Sequence, residues 1–124
     1  MISVIIPAYN KSDYTIQTIE SVLSQTYQEI EIIVIDDGSI DDTKIKLKPY
    51  FDRIKYIYQE NKGASSARNH GINIAKGKYL TFLDCDDIFY SNKIAESIDV
   101  LERNKEYAFV YTNVDQINEK NEIV

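Results

Sequence analysis

The sequence predicts an α/β protein in which helices cover both faces of a mainly parallel β-sheet. Short runs of β-branched and other apolar residues alternate along the chain with stretches of helical periodicity, the pattern of repeated strand–helix–strand units. The strand-like runs lack polar alternation, as expected of strands buried on both faces. Acidic residues follow two of these runs directly, at the end of the strand where open α/β sheets bind their ligands.

Five strands are predicted from apolar segments that end at turn-forming or acidic residues. They comprise residues 2–6, 32–35, 54–58, 79–83 and 107–111. Pro7 stops the first strand, because proline cannot donate to a sheet ladder, and the second is expected to end before Asp36. We expect these segments to lie side by side in one sheet.

Four helices are expected between the strands, where apolar residues recur at helical spacing. They are predicted to begin after Asn10–Asp13, after Asp41 and Asp42, at Ser65, and after Ser91 as a cap. The second helix, residues 43–48, is short because Pro49 limits it, and its Lys-Ile-Lys-Leu-Lys run also alternates like a strand. The third, residues 65–76, carries a face of small residues that includes Gly71 and predicts close packing.

Length and composition indicate one packed unit. The chain has 124 residues, of which 44% are hydrophobic and 27% charged, so we expect a folded core. A formal net charge of -6 argues against a nucleic-acid-binding protein, which would carry clustered Lys and Arg. No apolar run approaches the roughly 20 residues of a membrane helix, and no signal peptide is recognisable. The single cysteine, Cys85, excludes an intrachain disulfide and fits a reducing compartment.

Six carboxylate or amide side chains are expected at one edge of the sheet. They follow the first, second and fourth strands and are Asn10, Asp36, Asp37, Asp84, Asp86 and Asp87. Clustered carboxylates repel one another, and a divalent cation such as Mg²⁺ or Mn²⁺ would offset their charge while also binding substrate phosphates. An isolated Asp-Asp-Gly-Ser is usually only a turn. The prediction of a cation-binding site therefore depends on two acidic strand ends occurring together.

Four segments resemble, in order and spacing, the family 2 glycosyltransferases of GT-A fold. They are residues 4–10 (Val-Ile-Ile-Pro-Ala-Tyr-Asn), 33–39 (Ile-Val-Ile-Asp-Asp-Gly-Ser), 61–71 (Asn-Lys-Gly-Ala-Ser-Ser-Ala-Arg-Asn-His-Gly) and 77–87 (Gly-Lys-Tyr-Leu-Thr-Phe-Leu-Asp-Cys-Asp-Asp). The match runs from Ile2 to about Tyr111. It implies that residues 1–124 are the nucleotide-sugar-binding part of a Rossmann-like GT-A domain, truncated at its carboxyl-terminal side, with the acceptor-binding half missing.

The resemblance also implies roles for the matched residues. The nucleotide sugar would be bound by Pro7, Ala8, Tyr9, Asn10, Asp36, Asp37, Arg68, Asp84 and Cys85. Asp37 would accept a hydrogen bond from uracil N3–H, and Asp36 would support the loop or reach the ribose. Asp84 would contact the ribose. Together with Asp86 it would also bind the metal ion, Mn²⁺ or Mg²⁺, and Asp87 would add a further contact behind these ligands.

Three residues of the matched segments can also be explained by ordinary structural roles. Arg68 could instead pair with a surface carboxylate. Cys85 lies between two acids, which disfavour a thiolate, so we expect a small buried residue rather than a nucleophile. His70, the only histidine, is expected to be a solvated or packed side chain rather than a catalytic base.

As an activity, the resemblance implies inverting transfer of a sugar from a nucleotide donor, UDP-linked, to a glycan or lipid-linked acceptor. It points to cell-surface polysaccharide synthesis in a cytoplasmic or membrane-peripheral setting. The mechanism requires a carboxylate base within reach of the acceptor hydroxyl. Asp115 and Glu119 do not fit the family's position for it, so the base is expected downstream and turnover by these residues alone is not expected. Apolar surface left by the missing half would favour a homo-oligomer.

Two other classes remain open. A sugar nucleotidyltransferase also places acids at strand ends, but its first loop is usually glycine-rich and basic, whereas here only Lys11 follows Asn10. A non-catalytic nucleotide- or carbohydrate-binding module would be consistent with the missing base. A dinucleotide-dependent oxidoreductase is disfavoured, because no G-x-G-x-x-G follows the first strand.

Overall fold

The computed structural model describes every residue from Met1 to Val124 and contains one parallel sheet with strand order β3-β2-β1-β4. The strands are β1 (Ile2–Ala8), β2 (Ile30–Asp37), β3 (Lys55–Gln59) and β4 (Tyr79–Phe82). The helices are α1 (Ser12–Leu23), α2 (Thr43–Leu47), α3 (Ala64–Ile74) and α4 (Lys93–Arg103), and a single 3₁₀ turn, Lys48–Tyr50, follows α2. None of these helices combines the length and apolarity that a membrane span requires.

Helices cover both faces of the sheet, as predicted. On one face, Val4 and Ile6 of β1 pack in a large apolar cluster that includes Ile19 of α1, Leu47 of α2 and Ile94 of α4. The opposite face is covered by α3 alone. There Ile5, Ile33 and Ile35 pack around Ala67. The middle of each central strand, Val4–Ile6 and Ile32–Ile35, is apolar because neither face of the sheet meets water there.

Several predicted boundaries were wrong. Pro7 does not stop the first strand, which continues to Ala8 with Pro7 in register with Ile35 and Ala8 with Asp36. The second strand does not end before Asp36. It continues through Asp37, because Asp36 and Asp37 pair in register with Tyr58 and Gln59 of β3. Ser91 does not cap the last helix. Its carbonyl accepts a hydrogen bond from Thr26 N at 2.9 Å, and α4 begins two residues later without a side-chain cap. The predicted start of α2 was correct: Asp42 is its N-cap residue, and the carboxylate of the preceding Asp41 accepts from Thr43 N, the first N–H of the helix, at 3.0 Å.

The fifth predicted strand, residues 107–111, does not form. These residues lie outside any strand, and Tyr107, Phe109 and Tyr111 are exposed. A strand requires a partner to bond its backbone groups, and β4 at this edge of the sheet pairs only with β1. Residues 108–110 line an apolar groove beside β4 and α4 without joining the ladder. The continuous apolar run was therefore a misleading signal at this position.

Candidate functional site

A cleft of about 400 Å³ opens at the carboxyl ends of β1, β2 and β4. It is lined by Pro7, Ala8, Tyr9, Lys11, Asp37, Asn61, Gly63, Ala64, Arg68, Asp84, Cys85 and Asp86. Its volume lies within the range typical of small-molecule sites. The structure thus brings together most of the site residues predicted from the sequence. Asn10, Asp36 and Asp87 do not line this cleft.

Asp36 lies behind the cleft and stabilises its base. The side chain is almost completely buried. Its Oδ2 accepts from the Tyr56 hydroxyl at 2.5 Å, and its Oδ1 accepts from Ser39 N at 2.9 Å. Burial of Tyr56 and its hydrogen bond to Asp36 raise the pKa of the tyrosine, so the hydroxyl remains a donor. Of the two roles predicted for Asp36, the geometry fits support of the loop.

Asp37 is held by four N–H groups at the floor of the cleft. Its Oδ1 accepts from Gln59 Nε2 at 2.8 Å and Lys62 N at 2.9 Å, and its Oδ2 accepts from Gly63 N at 2.9 Å. Asn61 Nδ2 is also near Oδ2, at 3.4 Å. Burial opposes ionisation, but the hydrogen bonds outweigh it and lower the pKa of Asp37. The group is therefore a fixed carboxylate at neutral pH.

Close backbone contacts position the segment that holds Asp37. Gly38 has a φ of 82°, and a Cβ at this position would lie 2.7 Å from Asn61 N. Only glycine combines this left-handed conformation with so close an approach. Asn10 links the neighbouring loops, because its backbone N–H donates to Ser39 Oγ and its Oδ1 accepts from Ile40 N. The structure places Asn10 as a loop link.

Two exposed ion pairs cross the mouth of the cleft. Arg68 Nη2 lies 2.9 Å from Asp84 Oδ1, and Lys11 Nζ lies 2.6 Å from Asp86 Oδ2. The hydrogen bond to Asp86, and the charge of that carboxylate, raise the pKa of Lys11. Each acid predicted to bind metal is thus paired with a cation from another element. Lys11 and Asp86 also border a second depression of about 270 Å³ with the turn at residues 117–121.

Cys85 is buried, whereas Asp87, like Asp86, is exposed. Burial raises the pKa of the Cys85 thiol, which agrees with the expectation of a small buried residue rather than a nucleophile. Partial loss of hydration, and then the charges of Asp86 and Asp84, raise the pKa of Asp87. The acids of residues 84–87 therefore repel one another, as the sequence predicted.

The chemistry of the acids fits a hard divalent cation. No group of three or more His, Cys, Asp or Glu side chains is arranged to hold a metal by itself. Two carboxylates, Asp84 and Asp86, do line the same cleft. Mg²⁺ typically binds one or two protein carboxylates together with substrate phosphates. The donor set therefore suits a cation that arrives with a phosphorylated ligand.

Four residues that line the cleft were not predicted as site residues, Lys11, Asn61, Gly63 and Ala64, and neither was Gln59, which donates to Asp37 from outside the lining. Lys11 was noted only as a nearby charge, and Gln59 and Asn61 were given no role. The sequence did contain a signal for Gln59. This residue ends β3, so it lies at the same edge of the sheet as the acids. Nothing in the sequence could show that Lys11 reaches Asp86, since 75 residues separate them.

Comparison with known proteins is consistent across family, relatives and solved structures. A family model described as glycosyl transferase family 2 matches residues 3–124. Curated relatives with 40–46% identity are named glycosyltransferases, and the chain spans less than half of their length. One of them, from Escherichia coli, is named UDP-Glc:alpha-D-GlcNAc-diphosphoundecaprenol beta-1,3-glucosyltransferase WfaP. It is 44% identical over 91% of this chain and 45% of its own.

Two solved structures have the same architecture. Staphylococcus aureus TarS 1-349 in complex with UDP-GlcNAc superimposes with a TM-score of 0.79 at 26% identity, covering 84% of this chain and 32% of that one. The mannosyltransferase PcManGT from Pyrobaculum calidifontis, in complex with GDP-Man and Mn²⁺, gives 0.75 at 21% identity, covering 81% and 32%. At that identity the second likeness shows the fold alone. With its GT-A fold and its match over residues 3–124, this chain belongs to glycosyl transferase family 2.

Proposed function

We propose that this chain is the donor-binding part of a divalent-metal-dependent, inverting glycosyltransferase that uses a UDP-linked sugar. One observation carries the proposal. A single cleft at the carboxyl ends of the strands holds a fixed carboxylate at its floor, Asp37, and two further carboxylates at its mouth, Asp84 and Asp86. Such a site separates a place for a nucleobase from a place for a diphosphate and its cation.

The nucleoside would occupy the floor of the cleft. Pro7, Ala8 and Tyr9 form one wall, and the half-exposed Tyr9 ring offers a surface on which a base could stack. A carboxylate has about four acceptor directions. Three of those on Asp37 are filled at 2.8–2.9 Å, and the fourth meets only Asn61 at 3.4 Å. That long contact leaves room for the N3–H of uracil.

The diphosphate would lie at the mouth of the cleft, among four charged side chains. Asp84 and Asp86 would hold the divalent cation, which stabilises negative charge on a departing nucleoside diphosphate. Lys11 and Arg68, now paired with these acids, are the cations available to phosphate oxygens. When the donor binds, we expect each to exchange its carboxylate partner for phosphate, so that charge stays balanced within the site.

The catalytic base would lie outside the residues described. Direct displacement at the sugar C1 needs a carboxylate that removes the proton of the acceptor hydroxyl. The acids that line the cleft already have partners: Asp37 accepts backbone and amide N–H groups, and Asp84 and Asp86 form ion pairs. Asp115 accepts from the Tyr90 hydroxyl at 2.7 Å. We therefore assign donor binding to this chain and deprotonation of the acceptor to a region downstream.

The acceptor proposed is a lipid-linked or surface glycan. Support comes from the name of the Escherichia coli relative, which specifies a diphosphoundecaprenol-linked acceptor. Such a substrate would place the whole enzyme in the cytoplasm at the periphery of the membrane. A homo-oligomer is also proposed, because Phe109, Tyr111 and Val114 are exposed apolar side chains in the last segment of the chain.

Calorimetric titration tests the function directly. We expect UDP to bind more tightly than GDP or TDP and Mn²⁺ to strengthen its binding. Asp86→Asn should weaken UDP binding about tenfold with Mn²⁺ present and much less without it, because it removes a charged ligand of the cation. Asp115→Asn removes an equal charge outside the cleft and is the matched control. Equal UDP binding with and without Mn²⁺, and no effect of Asp86→Asn, would rule out the metal assignment.

A further inference from the structure

A chain of two hydrogen bonds leads from Asp37 to a residue outside the cleft. Gln59, the last residue of β3, donates from Nε2 to Asp37 Oδ1 at 2.8 Å. Its Oε1 lies 2.9 Å from Nδ1 of His70, on helix α3. Neither Gln59 nor His70 lines the cleft. These hydrogen bonds connect His70 to a bound ligand through Gln59 and Asp37.

The direction of these bonds fixes the proton on His70. An ionised carboxylate can only accept, so the Gln59 amide must present its Nε2 to Asp37. Its Oε1 then faces the imidazole, and the only compatible partner is a protonated Nδ1. The opposite amide orientation would place Oε1 against the Asp37 carboxylate, where like partial charges repel. His70 thus carries its proton on Nδ1, in either charge state of the ring.

The bonds on Asp37 connect this chain to the loop that forms the cleft. Besides Gln59, the carboxylate accepts from the backbone of Lys62 and Gly63. Gly63 and the preceding Asn61 line the cleft. An Asp37 side chain that rotates away from Gln59 would also release this loop. Holding Gln59 in one orientation therefore restricts both the acceptor oxygens and the loop beside them.

We propose that His70 is a positioning residue for the nucleobase, acting through Gln59 on Asp37. This inference rests on the proposed function. His70 touches no ligand. It donates to Gln59, Gln59 is held against Asp37, and Asp37 presents its remaining acceptor direction to the base.

Two substitutions at His70 separate hydrogen bonding from bulk. His70→Leu removes the donor while favouring the helix, because leucine has the higher helix propensity. His70→Asn keeps an N–H donor at the position of Nδ1. We expect His70→Leu to weaken UDP binding about fivefold, the effect of losing one hydrogen bond, and His70→Asn to stay within about twofold of the unaltered protein. The free energy of unfolding, measured in urea, should fall by no more than about 1 kcal/mol for His70→Leu, the loss of one hydrogen bond partly offset by helix propensity.

Nitrogen NMR gives a readout that does not depend on nucleotide. His70 is the only histidine, so its ring signals need no assignment. Long-range proton–nitrogen spectra above the titration range should show a protonated Nδ1 and an unprotonated Nε2. Replacing Gln59 by leucine should abolish this preference, because the acceptor that fixes the tautomer is gone.

The outcomes distinguish the inference from the function on which it rests. If the unaltered protein binds no nucleotide, the proposed function fails, and a proton found on Nε2 also overturns the hydrogen-bond chain. If it binds UDP and His70→Leu binds equally well, the positioning role is wrong while the function stands. Weak UDP binding by His70→Leu, restored by His70→Asn and accompanied by the Nδ1 tautomer, supports the proposal.

Discussion

The acidic residues in and directly behind the cleft are stabilised in two different ways, according to their exposure. Asp36 and Asp37 are buried and accept hydrogen bonds from backbone, amide and hydroxyl groups. Asp84 and Asp86 are exposed and pair with the cationic side chains of Arg68 and Lys11. The first arrangement is permanent, since an unpaired buried carboxylate would be costly. The second is weak and exchangeable, as the proposed binding of a cation and phosphates requires.

Lys11 should compete with a divalent cation for Asp86. In Lys11→Met the carboxylate loses its partner, which lies 2.6 Å away, and becomes more available to metal. We expect Mn²⁺ binding without nucleotide to strengthen about two- to fivefold, as befits an exposed ion pair. Titration calorimetry with Mn²⁺ alone measures this change.

Lys46→Met is the control for the loss of a positive charge. Lys46 forms an ion pair of similar length with Asp13, away from the cleft lining. It should leave Mn²⁺ affinity unchanged. A Lys11→Met protein with ordinary Mn²⁺ affinity would mean that the ion pair does not restrict access to Asp86.

At the level of single residues, the sequence predicted which acids gather but not what each does. Asp36 and Asp37 are adjacent and chemically identical. Because β2 continues through both, their side chains alternate between opposite faces, and only Asp37 enters the cleft. The distinction depends on where the strand ends, and hydrophobic periodicity is least informative at such boundaries.

Among the elements, α3 is held closest to the sheet and carries both Arg68 and His70 towards the site. Gly71 makes this approach possible, because a Cβ there would lie 2.4 Å from Ile5 Cγ2 of β1. Ile5 is fully buried and has little room to move. The small-residue face predicted for this helix is thus confirmed. The failed prediction of a strand at residues 107–111 has the opposite cause, since a sheet edge, unlike a helix face, is defined by a partner that local sequence does not specify.

Gly71→Ala should destabilise the protein by about 1–2 kcal/mol. Alanine in place of glycine within a helix gains about 1 kcal/mol, but overpacking a filled core costs about 1–3 kcal/mol. At 2.4 Å the clash with Ile5 dominates. Urea denaturation followed by circular dichroism measures the change. Asn73→Ala, on the exposed face of the same helix, should be neutral or stabilising, and a stabilised Gly71→Ala protein would show that α3 can move away from β1.

Across the whole molecule, the two ends of the sheet have separate tasks. The carboxyl end holds the cleft, whereas the opposite end is tied together by Glu31 of β2. Its Oε1 accepts from Ser3 Oγ of β1 at 2.6 Å and from Lys76 N at 2.9 Å, and Lys55 Nζ of β3 lies 3.2 Å from its Oε2. One carboxylate therefore joins two neighbouring strands and the turn before β4. Changes at this end should alter stability without altering the cleft.

Stability should depend on the charge of Glu31. Burial opposes ionisation, but hydrogen bonds from Ser3, Lys76 and Lys55 outweigh it and lower the pKa of Glu31 from 4.5. A carboxyl with a lowered pKa in the folded state stabilises the fold fully above its unfolded pKa, and that stabilisation is lost as pH falls through the folded value. Glu31→Gln should therefore cost about 1 kcal/mol at pH 7, the difference between charged and neutral hydrogen bonds, and almost nothing below the folded pKa.

Urea denaturation at pH 7, at pH 4.5 and at about pH 3 checks this dependence. Glu29→Gln is the matched control, because the Glu29 side chain is exposed and forms only one long ion pair, 3.7 Å from the amino terminus. Removing its charge should therefore change the free energy of unfolding little at any pH. A deficit of Glu31→Gln that stays constant from pH 7 to pH 3 would assign its effect to packing rather than to charge. UDP binding by Glu31→Gln at pH 7 should match that of the unaltered protein, because the carboxylate and the cleft lie at opposite ends of the same strands.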